Sequence, residues 1–389
     1  MENLYKGAGN IKDYEHSLDF LNWVFFSDDP EENRADFLSI LPKLYKKEYD
    51  HCVSNQIVSL SGKWQAAVGL YIDEMDICGE KILCGGIGNV AVGKNCRGMG
   101  YMKECMRLAK EKCFNENVDF MILGGQRQRY GYFGFEPAGT EYEYNLNEIN
   151  IRHTFGNDYI SPLSAHAVSE NDSEALDFIF DIYNKTFRSK ILRKREKLYD
   201  ILVSWNQKPF VFKDGDKFVG YALFSECFGY VTETAAVSDE YFKLLIPALL
   251  KNSGKNRLYI KLPASAVNYN QTLTDICEGF SMNHCELINI LNWEHMVYAL
   301  LKHKAEYKKL CDGEQTFLIH GDRKDELFTV KVENNSATVT DGGKNPFELS
   351  HKEAMQMFMG LYSSKRNELS SDISGWFPLD FMIFSTDTV

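Results

Sequence analysis

Residues Val90-Ala91-Val92-Gly93-Lys94-Asn95-Cys96-Arg97-Gly98-Met99-Gly100-Tyr101-Met102 place two closely spaced glycines and an arginine after an apolar run. The pattern reads as a strand, a turn and a helix start. Gly98 and Gly100 let the backbone approach a ligand closely and adopt conformations barred to other residues. The helix behind them offers unpaired N–H groups and the positive end of its dipole, and Arg97 adds a permanent positive charge. Such a constellation binds a pyrophosphate. A second group, Asp28, Asp29, Glu31 and Glu32, lies in a turn where acidic side chains suit a solvated helix start and could also attract a cation. The ten cysteines are scattered, with no CxxC pair and no histidine at metal-ligand spacing, so no metal site is expected. No histidine pairs with Ser or Cys in a way that suggests a nucleophile.

These residues need elements to hold them. Ser17 to Tyr45 reads as two helices around Ser27-Asp28-Asp29-Pro30, and Gln65 to Val92 as strands broken at Asp76–Glu80. Met102, Cys105, Met106, Ala109 and Cys113 recur at three and four spacings, which predicts a helix from about Gly100 to Asn115. The strand Asp119–Leu123 follows and ends in Gly124-Gly125. The middle third repeats the plan: a helix over Glu174–Arg188, a hairpin about Asp214-Gly215, a strand over Tyr230–Val237 and a helix over Asp239–Lys251. Its strand-to-helix junction, Ala235-Ala236-Val237-Ser238-Asp239-Glu240, has neither Arg nor Gly. The last third gives a helix over Trp293–Lys302 and three short strands. A capping box at Ser350-His351-Lys352-Glu353 then opens a helix through Tyr362. The apolar tail Trp376–Phe384 is expected to dock into the body.

At 389 residues and 44% hydrophobic, the chain is long enough for two or three cores. A net charge of −12 disfavours nucleic acid and anionic lipid as partners and leans toward cationic ligands. No run approaches the length of a membrane-spanning helix and the first residues lack a signal-peptide pattern, so a cytoplasmic protein without membrane insertion is expected.

The Val90–Met102 stretch resembles the acetyl-CoA signature of the GNAT superfamily of N-acetyltransferases. Arg97 and Gly100 match it, whereas Met102 stands where Gly or Ala is usual. That departure, with Val-Ala-Val before the loop, is similar to the Eis (enhanced intracellular survival) subgroup. The resemblance implies a mixed α+β and α/β chain of tandem GNAT folds followed by a sterol-carrier-protein-like (SCP2-like) domain. Applied to this chain, the parts are 1–145 (active), 146–284 (lacking the signature) and 285–389. It implies acetyl-CoA as cosubstrate, with Val90, Ala91 and Val92 pairing with the pantetheine arm. Arg97, Gly98, Met99, Gly100, Tyr101, Met102 and Lys103 would surround the pyrophosphate, and Gly125 and Gln126 would touch the cofactor at the next strand.

The segment Gln128-Arg129-Tyr130-Gly131-Tyr132-Phe133-Gly134-Phe135-Glu136-Pro137 looks like the family's Tyr-Gly-x-Phe-Gly-Tyr-Gly-Pro. By that register Tyr130 is the general acid, with Tyr132 as the alternative. The resemblance makes the α-carboxylate of Val389 the base, and Asp28, Asp29 and Asp387 candidates for attracting the acceptor. The implied acceptor is an amine of a cationic molecule (aminoglycoside, polyamine or lysine), and the implied assembly a homo-oligomer, a hexamer in the family. The competing expectation is a lipid- or ligand-binding protein with a vestigial transferase.

Overall fold

The computed structural model describes residues 3–30, 35–321 and 323–389. Strands β1 (Leu4–Ala8), β2 (Asn55–Leu60), β3 (Lys63–Ile77), β4 (Glu80–Val92), β5 (Phe120–Leu123) and β6 (Glu136–Ala138) run through the first third. Next come β7 (Glu141–Asn147), β8 (Ser164–Ala167), β9 (Ser189–Ile191), β10 (Lys208–Asp214), β11 (Lys217–Phe224), β12 (Tyr230–Ala236), β13 (Arg257–Pro263) and β14 (Phe280–Asn283). The last are β15 (Glu286–Ile290), β16 (Gly313–His320), β17 (Asp325–Glu333), β18 (Ser336–Asp341) and β19 (Phe347–Ser350). The longer helices are α1 (Tyr14–Phe26), α2 (Tyr101–Asn115), α3 (Glu148–Phe155), α4 (Ser173–Thr186), α5 (Asp239–Ser253), α6 (Val267–Ile276) and α7 (Trp293–Ala305).

Among the described residues these strands form three sheets. The first has the order β1-β2-β3-β4-β5-β15-β6 with β9 also on β3, the second β14-β7-β13-β12-β11-β10-β8, and the third β18-β17-β16-β19. The first two sheets exchange a strand. β15 inserts antiparallel between β5 and β6, and β7 inserts between β13 and β14. The expected divisions at 145 and 284 therefore do not follow the sheets. Position 145 falls inside β7, a strand of the second sheet, and the chain just past 284 returns to the first. An antiparallel slot accepts any strand of suitable pattern, so chain order alone does not fix which sheet a strand joins.

The mixed α/β architecture with repeated strand-to-helix units is as expected, and so is the capping box at Ser350 and Glu353. The expected second helix before Tyr45 is broken into Phe37–Ile40 and Pro42–Tyr45. Pro42 forces Leu41 out of the helical region, to φ −130° and ψ 59°. The helix from His351 stops at Met359, before Gly360.

One apolar cluster joins the first sheet to the third through α7: Ile82 and Phe120 from one side, Trp293, Met296 and Leu300 from the helix, Phe317 and Phe328 from the other side. The tail docks by strand-like alternation. Phe381 and Ile383 enter that cluster, whereas Met382 and Phe384 enter the cluster of the second sheet beside Tyr183 and Phe187. Successive side chains of an extended segment point to opposite sides, so one strap closes two cores.

Glu286 begins the exchanged strand β15 close to Glu141, which bonds Lys261 at 2.7 Å. Burial, reinforced by Glu141 and opposed by Lys261, pushes its carboxyl up to about 7. A carboxyl whose folded pKa is raised binds its proton in the fold where the unfolded chain has released it. Its contribution to stability is therefore intact below the unfolded value and is lost as pH rises toward 7. Glu286→Gln is expected to unfold at about 2 kcal/mol higher free energy than wild type above pH 7 and to match it near pH 4.5. Urea titrations at the two pH values measure this, and a gap that does not grow with pH would refute it.

Candidate active site

The site begins with a defect in a ladder. β4 pairs with β5 in parallel at Cys84↔Phe120, Gly85↔Met121 and Gly86↔Ile122, and the pairing stops there. β4 runs on to Val92, still paired to β3 on its other edge. The register against β3 slips between Ala67↔Ala91 and Gly69↔Gly88, so Val68 faces both Asn89 and Val90. This is a β-bulge, and bulges bend a strand and end its pairing. Asn89 takes φ 39°, a conformation Asn tolerates better than most residues. Its buried amide is fixed on both sides. The Oδ1 atom accepts from the Tyr45 hydroxyl at 3.1 Å and the Tyr71 hydroxyl at 3.3 Å, and Nδ2 donates to Asn55 Oδ1 at 2.5 Å. The bulge thus turns Val90, Ala91 and Val92 away from β5 and leaves that edge of β4 open beyond Gly86.

The strand leads into the glycine loop. Gly98 and Gly100 have φ of +83° and +79°, and a β-carbon on either would meet nothing within 4 Å. Glycine is required there by the backbone conformation, not by crowding within the chain. Gly100 is the N-cap of α2 and supplies no side-chain cap, so the first N–H groups of this 15-residue helix point outward. Arg97, Met99 and Lys103 are exposed around them. Tyr101 and the unusual Met102 pack partly against the core under α2, which turns the Met102 side chain away from the loop. Gly125 and Gln126 are exposed at the end of β5.

The junction in the second sheet is closed by contrast. There β12 and β13 also pair only at Tyr230↔Tyr259 and Val231↔Ile260. The Tyr269 hydroxyl fills the gap, donating to the Ala236 carbonyl at 3.0 Å and accepting from its N–H at 3.1 Å. Ser238 caps α5, accepting from Tyr241 N, and Asp239 and Glu240 occupy the first turn. One N–H of the helix start is thereby satisfied, and the acidic first turn repels an anion.

Tyr130 ends a single helical turn, Arg127–Tyr130, and is buried in the cluster under α2 with Leu123 and Phe135. A β-carbon on Gly125 would sit 2.6 Å from its ring, so this glycine makes room for the tyrosine. Burial pushes the phenol above its usual range and the Arg129 guanidinium beside it pulls it part of the way back. Tyr132 is 71% exposed, with Lys103 Nζ 4.6 Å above its ring.

The chain end lies on the other face of β4. A β-carbon on Gly85 would point at Cys113 and Val118 below α2, whereas one on Gly86 would sit 2.7 Å from Val389 Cγ2. One on Gly88 would sit 3.2 Å from the Val389 carboxyl carbon. Gly86 and Gly88 thus make a seat for the carboxyl terminus where β4 leaves β5, a feature absent from the expectations above. A glycine-rich strand interior was the signal that could have found it.

Clamps from two parts of the chain hold this end. The buried Lys43 ammonium donates to the Thr386 and Thr388 carbonyls at 2.6 and 2.7 Å, and burial pulls its pKa down to about 8. Trp205, at a left-handed φ of 57°, donates its indole N–H to the Thr388 carbonyl at 3.3 Å. Arg193, fully buried, bonds Asp387 at 2.8 and 2.9 Å and both oxygens of Glu233 at 2.8 and 2.5 Å.

Two of the expected acceptor-attracting acids are otherwise engaged. Asp387 is neutralised by Arg193, and Asp28 is paired with Lys94 at 2.6 Å, which lowers its pKa. Asp29 stays beside Asp28 in the turn after α1, its N–H bonded to the Phe26 carbonyl. Glu31 and Glu32 lie outside the described residues. The fold also assembles one Ser, His and Cys trio that sequence did not suggest: Ser17 Oγ lies 2.8 Å from His51 Nε2 and 3.2 Å from Cys52 Sγ. All three are buried, and burial pushes His51 down to about 4, so the trio is a core contact.

Residues 8–138 match the family model described as an acetyltransferase (GNAT) domain. Solved structures of the same fold span essentially the whole chain. A GCN5-related N-acetyltransferase from Kribbella flavida has a TM-score of 0.70 at 12% identity, covering 100% of this chain and 99% of its own. A probable N-acyltransferase from Enterococcus faecalis V583 has 0.68 at 15%, and Eis1 from Mycobacterium abscessus 0.66 at 12%, each with 100% of both chains covered. No curated protein matches the chain. Among the described residues no helix is long and apolar enough to cross a membrane, and no group of three or more His, Cys, Asp or Glu is placed to hold a metal.

Proposed function

We propose that this protein transfers the acetyl group of acetyl-CoA to a primary amine, with one active site per chain in the first sheet. The observation that carries the reading is the open edge of β4 beyond Gly86. The uncapped glycine loop lies at its end, Tyr130 below it and the Val389 carboxylate above. Val90, Ala91 and Val92 offer backbone groups to the pantetheine amides. Arg97, Lys103 and the first N–H groups of α2 receive the pyrophosphate, with Gly98, Met99, Gly100, Tyr101 and Met102 forming the cradle and Gly125 and Gln126 the wall at β5.

The amine nitrogen attacks the thioester carbonyl, a C–N bond forms and the C–S bond breaks. The ammonium proton must leave before attack, and the departing thiolate must gain one. A free carboxylate is a weak base toward a solvated ammonium. The half-buried Val389 carboxylate acts by holding the amine against the carbonyl and taking its proton in a desolvated setting, directly or through water. Tyr130, kept protonated by burial, supplies the proton to sulfur. The last third, with its four-stranded sheet and α7, is proposed to be the SCP2-like part, and its function here is to deliver the tail.

Calorimetry with acetyl-CoA and a thiol-release assay test the proposal. Tyr130→Phe is expected to retain acetyl-CoA binding and lose about 100-fold in kcat, a usual size for general acid catalysis. Unchanged kcat would remove Tyr130 from the mechanism. Absence of acetyl-CoA binding by the wild type would favour a ligand-binding protein instead.

A further inference from the structure

The parallel ladder between β4 and β5 ends at Gly86↔Ile122, and the two faces of the sheet can be followed past that point. Cys84, Ile122 and Ile288 enter one apolar cluster, whereas Ile87, Leu123 and Leu287 enter the cluster under α2. Side chains alternate along a strand, so Gly86, Gly88, Gly124 and Glu286 all belong to the face opposite α2. Val389 occupies that face above β4, its carboxyl carbon 3.2 Å from where a Gly88 β-carbon would sit.

Glu286 occupies the same face above β5. Leu287 pairs with Leu123, which sets Glu286 beside Gly124, the exposed residue that follows β5. A β-carbon on Gly124 would sit 3.4 Å from Glu286 Oε2 and within 4 Å of no other described residue. The carboxyl therefore leans from β15 across the bare end of β5 toward β4. Two carboxyl groups flank the mouth of the open edge at one level, Val389 on the β4 side and Glu286 on the β5 side. Paired strands lie about 4.8 Å apart and these two diverge past Gly86, which leaves room for an amine between the groups.

Glu286 is half-buried, and no hydrogen bond or ion pair engages it among the described residues. The charges nearest it come from the second sheet: Glu141, and Lys261, which is committed to Glu141 at 2.7 Å. On its own segment burial keeps both Cys285 and His284 neutral. On β6 Glu136 is paired with Arg127, and on the tail Asp380 accepts from the Thr140 hydroxyl at 2.7 Å. A carboxyl without a cation of its own costs stability at neutral pH, a cost usual where a group is kept for chemistry.

We infer that Glu286 is a second catalytic carboxylate, which receives the proton that the acceptor ammonium sheds beside Val389, directly or through water. The inference rests on the transferase reading above. Val389 holds the ammonium and loosens its proton, and Glu286 is where that proton comes to rest. An ammonium must lose two protons to become an amide. One goes to Glu286 and on to solvent. The other leaves nitrogen as the C–N bond forms and the C–S bond breaks, and it balances the proton that Tyr130 gives to sulfur. An ordinary terminal carboxylate, at about 3.5, lies roughly seven pK units below an alkylammonium. Glu286, pushed up to about 7, lies much nearer and is the better base.

The test follows acetylation of putrescine, kanamycin and lysine methyl ester by the full chain between about pH 5.5 and 9. Wild-type kcat/KM for the best acceptor is expected to climb through pH 7 and level off, since Glu286 must be ionised to accept a proton. Glu286→Gln is expected to lose that bend and about 100-fold in kcat/KM at pH 8, with acetyl-CoA affinity kept within about twofold. Glu286→Asp, which keeps a carboxyl, is expected to retain the bend at a lower rate. Unfolding does not account for such a loss, because the Gln substitution is expected to stabilise the fold above pH 7. A Glu286→Gln chain with the wild-type profile, or with that profile scaled down and its bend intact, overturns the inference. Acetyl-CoA binding with no acetylation of any of the three also overturns it while leaving the donor site intact. Failure to bind acetyl-CoA would instead overturn the transferase reading and the inference with it.

Discussion

Adding a short Gly-Ser-Gly extension after Val389 is expected to lower kcat about 100-fold while leaving acetyl-CoA affinity within about twofold. The argument is one of position. The extension keeps every side chain of the tail, including the Arg193 and Lys43 contacts, and moves only the free carboxylate, by roughly 3.8 Å per added residue. A group acting on the reacting amine loses most of its effect at such displacement. The proposed cofactor side is insulated because α2 packs on the face of β4 that Gly85 turns to, opposite Val389. Gly86→Val should reproduce the result from inside the protein, since its β-carbon would fall 2.7 Å from Val389 Cγ2 and push the chain end off its seat. Steady-state kinetics with calorimetry separate the two effects. An extended chain with wild-type kcat would mean that Val389 does no chemistry.

The glycine loop was legible because its chemistry is local. Positive-φ glycines, the following helix and the arginine all fall within a dozen residues, and the helix register needs only the apolar stripe from Met102 to Cys113. The lack of Arg and Gly at Ala235–Glu240 was legible for the same reason, although the Tyr269 plug was not, because it lies more than thirty residues downstream. The tail strap could be inferred from its apolar run, interrupted only at Asp380, since such a run must find a core.

What sequence did not reveal is set by pairing at a distance. β7 and β15 each have an ordinary strand pattern, and nothing local says that they trade sheets. The bulge at Asn89 depends on hydroxyls from Tyr45 and Tyr71, and without them an asparagine in a strand reads as a mild irregularity. In sequence Asp28 and Asp387 remain candidates for attracting an acceptor because Lys94 and Arg193 are 66 and 194 residues away. A carboxylate's function follows from its nearest cation, and the sequence does not show where that cation sits.

Arg193 carries the second large prediction. It is buried without solvent access, its guanidinium stacks 3.9 Å from the centre of the Tyr183 ring, and it is the shared partner of Glu233 and Asp387. Glu233 also accepts from the Tyr221 hydroxyl at 2.6 Å, so the cluster ties β12, β11, α4 and the tail together. Arg193→Met leaves two carboxylates buried with no cation between them, and stability is expected to fall by about 3–5 kcal/mol. That is a large share of the margin of an ordinary domain. Replacing the whole cluster is different, because a neutral set of similar volume has no charge to desolvate. Arg193→Met/Glu233→Gln/Asp387→Asn should therefore recover most of the loss, and urea unfolding of the single and triple variants measures it. If the triple variant is no more stable than the single one, the loss comes from packing against Tyr183 and not from stranded charge. The recovered triple variant also separates stability from chemistry. With the tail docked again and Val389 back over Gly86 and Gly88, its kcat is expected to return toward wild type, as the role proposed for the terminal carboxylate, and not for Asp387, requires.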